Sequence, residues 1–172
     1  MQKEATISDN QLYRYKLSRT WDSTKPTILF IGLNPSIADE TIDDPTITRC
    51  INYAKAWGYG TLLMTNLFAF RSTYPKDIYL VDDPIGDEND NYILECVAQS
   101  DLVVACWGNN GMYMNRILYP IYIVLEKIKT EPHIIHSDFL EIFDQYHSIS
   151  KYDFPKNNYF PETFLFSYNR HF

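Results

Sequence analysis

Three apolar runs constrain this chain more than any other feature. They are Thr27-Ile28-Leu29-Phe30-Ile31-Gly32-Leu33, Thr61-Leu62-Leu63-Met64-Thr65 and Leu102-Val103-Val104-Ala105-Cys106-Trp107. Continuous apolar runs of this length are what strands covered on both faces require. A helix signal separates the first two: Asp44 stands as N-cap, Pro45 at the first helical position, Ile47, Ile51, Ala54 and Trp57 at helical spacing, and Gly58 as a stop. A second helix is predicted from about Asp87 to Gln99, a third from Ile117 to Ile128 with Pro120 kinking or splitting it, and a short fourth strand over Pro132–His136. Residues 13–20 alternate apolar with polar and read as an edge strand or hairpin arm.

Alternation of strand and helix implies an α/β three-layer sandwich, with a central, mostly parallel four-stranded sheet and helices on both faces. Ligands of such sheets bind beyond the carboxyl ends of the strands. Those ends here are Asn34, Asn66, Trp107-Gly108 and His136, so topology alone nominates a site. Residues 1–172 read as a single domain, with 138–172 an irregular, aromatic-rich extension suited to packing on the domain, closing a pocket or meeting another subunit.

Charge narrows the partners. Fifteen Lys and Arg against 22 Asp and Glu give a net charge of −7, which disfavours duplex DNA, whose phosphates are bound by basic surfaces. A small basic pocket on an acidic body is still compatible with that balance. Cys50, Cys96 and Cys106 lack metal-ligand spacing and read as buried thiols in a reducing compartment. The mixed-charge start of the chain and the lack of a long apolar run point to a cytoplasmic protein without membrane contact.

Each strand-end residue carries two readings. Asn34, with Pro35 and Ser36, either lines a pocket or caps a turn. Asn66 either reads the edge of a base, since its amide donates and accepts, or bonds nearby backbone. Phe68 and Phe70 offer stacking faces or core packing, and Phe30 reads as core. Arg49 and Arg71 suit bidentate phosphate binding, or else salt bridges to Asp39, Asp43 or Asp44. Backbone amides after Trp107-Gly108-Asn109-Asn110 offer another anion site. His133 and His136 fall on opposite faces of a strand, a poor metal pair, and Ser36 lacks the setting of a hydrolase nucleophile. No metal or cofactor is expected.

The blocks resemble the uracil-DNA glycosylase superfamily in order as well as content. Ile31-Gly32-Leu33-Asn34-Pro35 looks like its Gly-x-Asn-Pro block, Leu62 to Asn66 like the strand ending in a base-reading Asn, Leu102 to Asn109 like the strand ending in Trp-Gly, and His136-Ser137 stands where that family has His-Pro-Ser. A closer resemblance is to a domain-of-unknown-function family of microbial and phage proteins, carried by Leu33 to Asp39, Asp43 to Thr46, Asn66 to Ala69 and Trp107-Gly108. The chain departs from it at His136-Ser137-Asp138-Phe139, where a His-Pro-Leu-Tyr-like segment is usual. The glycosylase resemblance implies a water-orienting Asn34 and a His136 that stabilises departing negative charge. The expectation is therefore a protein that recognises a small, signalling-type nucleotide, with a glycosylase that cleaves an N-glycosidic bond as one alternative and a protein-interaction module as another. A homo-oligomer is left open.

Overall fold

Ile28, Leu29, Phe30 and Ile31 leave Thr27–Gly32 no polar face, and this segment forms an interior strand. The computed structural model describes residues 1–107 and 109–116. Within them the chain forms β1 (Gln2–Ile7), β2 (Arg14–Thr20), β3 (Thr27–Gly32), α1 (Pro45–Ala56), β4 (Thr61–Asn66), α2 (Asn89–Gln99) and β5 (Leu102–Ala105), with a 3-10 turn at Pro75–Tyr79 and a kinked 3-10 segment over Asn109–Asn115. One sheet runs in the order β1-β2-β4-β3-β5. β4, β3 and β5 are parallel, whereas β2 pairs antiparallel with both β1 and β4.

The protein is thus α/β as expected, but its sheet is mixed and five-stranded among the described residues rather than mostly parallel and four-stranded. The cause lies in the first twenty residues, which form a hairpin laid antiparallel along β4. β2 is accordingly an interior strand and not an edge. Among the described residues the edge on this side of the sheet belongs to β1, a charged, partly exposed strand suited to limiting further pairing. The expected fourth strand, the helix over 117–128, His136 and the extension from 138 lie outside the described residues.

Alternation along the strands divides the core. Ile28, Phe30, Leu62 and Met64 meet Ile47, Ile51 and Ala54 of α1 on one face. Leu29, Ile31, Leu63 and Val103 meet Ile93, Cys96 and Val97 of α2 on the other. α1 begins and ends as its sequence predicts: the Asp44 carboxylate accepts from Ile47 N at 2.9 Å, and Gly58 follows the last turn at φ +88°. Burial pushes the Cys50 and Cys96 thiols up to about 12. Cys106, just past β5, is exposed as a residue, but its thiol turns inward to donate to Ile31 O and burial pushes it above its ordinary value. Among the described residues no helix is long and apolar enough to cross a membrane.

Candidate functional site

From β3 the chain passes through α1 to β4 on one side, then through α2 to β5 on the other. The order therefore reverses at β3, the place where open α/β sheets receive ligands. Asn34 follows directly. Its NH2 donates to Ser72 O at 2.9 Å and Pro35 O at 3.2 Å, and Ser72 N returns a bond to Pro35 O. These bonds fix the amide plane, and its Oδ1 has no hydrogen bond among the described residues. Pro35 is buried and Ser36 half-buried beside it.

Asn66 closes β4 on the α1 face and is 1% exposed. Its Oδ1 accepts from Arg14 Nη2 at 2.9 Å. The side chain lies over Gly32, where an added Cβ would come within 2.7 Å of Asn66 Nδ2 and 2.8 Å of Met64 Cε. Gly32 is required here by close approach rather than by a turn. Behind it, Asn89 at the start of α2 donates from Nδ2 to Asn66 O and Leu67 O, and Arg116 Nε donates to the same Leu67 O. Arg116 also pairs with Asp90.

Arg14 is the residue that sequence reasoning missed. Strict alternation from Leu17 would turn it toward α2, with Lys16. The register shows why it does not: Thr6 faces Lys16 but Ile7 faces Arg14, so Tyr15 is an extra residue, a β-bulge. Tyr15 stacks on Tyr92 of α2, and Lys16 reaches Glu95 of α2. Arg14 is thereby returned to the α1 face, where it is 1% exposed and donates to Ala38 O at 3.1 Å as well as to Asn66. Its Nε has no partner, and it joins no ion pair, among the described residues. Burial pushes the guanidinium down to about 10; Asp44 opposes the shift, while Arg71 and Arg19 add to it.

The other nominated residues divide. Arg71 lies near enough to act on the charge of Arg14, and its Nη1 donates to Gln11 O at 3.3 Å. Arg49 is exposed along α1. Phe68 does not offer a stacking face to Asn66; it is 0% exposed in the α2-side core, with Tyr113 tilted against it. Trp107 packs in the same core, and Phe70 meets Tyr13 edge-on. Asn109 opens the 3-10 turn after β5, and Gly108 and His136 lie outside the described residues. Arg14 thus holds Asn66 at the end of β4 with Arg71 near enough to act on its charge, while Asn34, beyond β3, is tied to Ser72 next to Arg71.

A family model described as a protein of unknown function (DUF1643) matches residues 14–138. No curated protein and no solved structure matches the chain.

Proposed function

The chain belongs to the DUF1643 family of proteins of unknown function, and from that premise we propose that it recognises a small nucleotide at the carboxyl edge of its sheet. The carrying observation is Asn66, a buried amide fixed at a strand end by Arg14 and seated over the bare Cα of Gly32. A carboxamide held by its oxygen presents its NH2 in one orientation, and one orientation is what discrimination between base edges needs. Nδ2 has no hydrogen bond among the described residues, so it is the atom we assign to the base. The finer fold reading, uracil-DNA glycosylase-like, is part of this proposal and rests on the Gly32-Leu33-Asn34-Pro35 and Asn66 blocks closing neighbouring parallel strands.

A second reading, hydrolysis of an N-glycosidic bond, is favoured by Asn34. An amide whose NH2 is clamped to Ser72 and Pro35 keeps Oδ1 as a fixed acceptor for one water proton. Such a group orients water but removes no proton, which suits a departure that develops positive charge on the sugar before attack.

One experiment separates the readings. The protein is incubated with free nucleotides, cyclic and ADP-ribose-type species among them, and with uracil-containing single- and double-stranded DNA, then chromatographed before and after heat denaturation. A nucleotide depleted from solution and recovered intact on heating is the expected result. Release of a free base, abolished in Asn34→Ala, establishes the hydrolase instead. Depletion of no nucleotide overturns the proposal.

A further inference from the structure

Two arginines flank the isolated bridge Tyr13↔Phe70. Arg14 N donates to Ala69 O at 2.9 Å and Arg71 N to Leu12 O at 2.8 Å, which makes them diagonal neighbours across the junction of β2 with the segment leaving β4. Each has a buried Nε without a partner among the described residues. Neither joins an ion pair there, whereas Arg19 and Arg116 each hold a carboxylate. The carboxylates nearest in charge, Asp44 and Asp39, are turned to backbone: Asp44 Oδ1 to Ile47 N, and Asp39 Oδ1 to Thr41 N at 2.7 Å and Ile42 N at 2.8 Å. Burying one unpaired guanidinium is already costly, and a second like charge beside it adds to the cost. An arriving anion would relieve both.

We propose that Arg14 and Arg71 form an anion subsite that takes a phosphoryl group of the ligand. A phosphate monoester carries close to two negative charges at neutral pH and three acceptor oxygens, which matches two guanidiniums with donors to spare. The source is a small molecule rather than a nucleic-acid backbone, because Arg14 is 1% exposed and the chain carries a net charge of −7. The inference rests on the nucleotide reading only for what the phosphate is attached to; the anion subsite stands on the arginines alone.

The test uses the full chain, calorimetric titration and thermal unfolding. The probes are inorganic phosphate, 5′-nucleoside monophosphates, the matching nucleosides and a short duplex. Phosphate is expected to raise the unfolding temperature of the wild type. Monophosphates should bind at least about tenfold tighter than nucleosides, the scale of one charge-assisted hydrogen bond. Arg71→Met, at a half-buried position, should erase that preference and the phosphate shift. Arg14→Lys should weaken both phosphate effects; if circular dichroism shows it unfolded, Arg71→Met carries the test. Nucleosides and monophosphates binding equally, or a preference that survives Arg71→Met, overturns the subsite yet leaves base recognition standing. Phosphate binding as tightly as any nucleotide supports the subsite and removes the nucleobase. Preference for the duplex over every monophosphate overturns the small-molecule assignment.

Discussion

Arg14 and Arg19 sit at opposite ends of β2, on the same face, and both are buried. Their surroundings differ completely. Arg19 Nε meets the Asp43 carboxylate at 2.7 Å, Nη1 donates to Ser18 O at 2.8 Å and Glu4 O at 3.2 Å, and Nη2 reaches Asp39 O and Ile42 O. Asp43 is shared with Lys3 at 2.6 Å; burial raises its carboxyl, but the hydrogen bonds from Lys3 and Arg19 outweigh this and leave it lowered. The Arg14 guanidinium makes two hydrogen bonds, to Ala38 O and Asn66 Oδ1, and touches no carboxylate among the described residues. One strand therefore carries a finished internal staple at one end and an unneutralised cation at the other. Only the second has a reason to bind something.

Removing each arginine tests that contrast most strongly. Arg19→Met leaves Asp43 with Lys3 alone and frees the loop over Asp39–Ile42, and it should cost about 3 kcal/mol or more, as for a broken buried pair. Arg14→Met strands Ala38 O and Asn66 Oδ1, at about 1–3 kcal/mol each, but also removes an unpaired buried charge of comparable cost, so the net change should be about 1 kcal/mol or less. Urea unfolding of the two variants measures the gap. Equal losses would make Arg14 another staple and collapse the contrast. A stable Arg14→Met that has lost phosphate binding would sharpen it.

What the sequence made legible was whatever is signalled locally. Asp44, Pro45 and Gly58 mark α1 because capping and left-handed backbone depend on a few adjacent residues. The apolar runs mark β3, β4 and β5, and the ends of β3 and β4 led to Asn34 and Asn66 without any contact being known. The missed features depend on partners distant in sequence. β1 is a charged edge strand whose only strong reason to exist is β2, and the bulge at Tyr15 is a property of their register. Arg14 could be placed on its face only through that bulge. Phe68 was misdirected for a related reason: whether an aromatic beyond a strand end meets the site or the core depends on partners distant in sequence, and here Phe68 packs in the α2-side core.

A smaller effect probes the ligand end alone. In Gly32→Ala the new methyl meets Met64 Cε, which can swing aside, and Asn66 Nδ2, which is held through Oδ1 by Arg14. The expected loss is about 1–3 kcal/mol, the usual scale of overpacking. Nucleotide binding should fall by more than this destabilisation accounts for, because displacing Asn66 breaks the bond that orients it. The Arg19 end should be untouched, so Arg19→Met should cost the same in either background. If Gly32→Ala binds like the wild type, Asn66 is not reading a base.

The smallest effect belongs to the turn that links the two ends. Arg19 grips Asp39 O and Ile42 O, while the Asp39 carboxylate caps the same turn near Arg71. Hydrogen bonds from Ile42 N and Thr41, with the charge of Arg71 behind them, hold the Asp39 carboxyl down at about 2, against an ordinary 3.8. A carboxyl lowered in the fold contributes stability above its unfolded value and loses it as pH falls toward the folded one. Asp39→Asn should therefore cost about 0.5–1 kcal/mol at neutral pH, a turn hydrogen-bond effect, and the difference from wild type should fade between about pH 4 and pH 2. Urea midpoints of the two proteins across that range measure it. A gap that persists unchanged at pH 2 would mean that Asp39 acts through shape rather than charge, and that Arg71 is not coupled to the turn that Arg19 anchors.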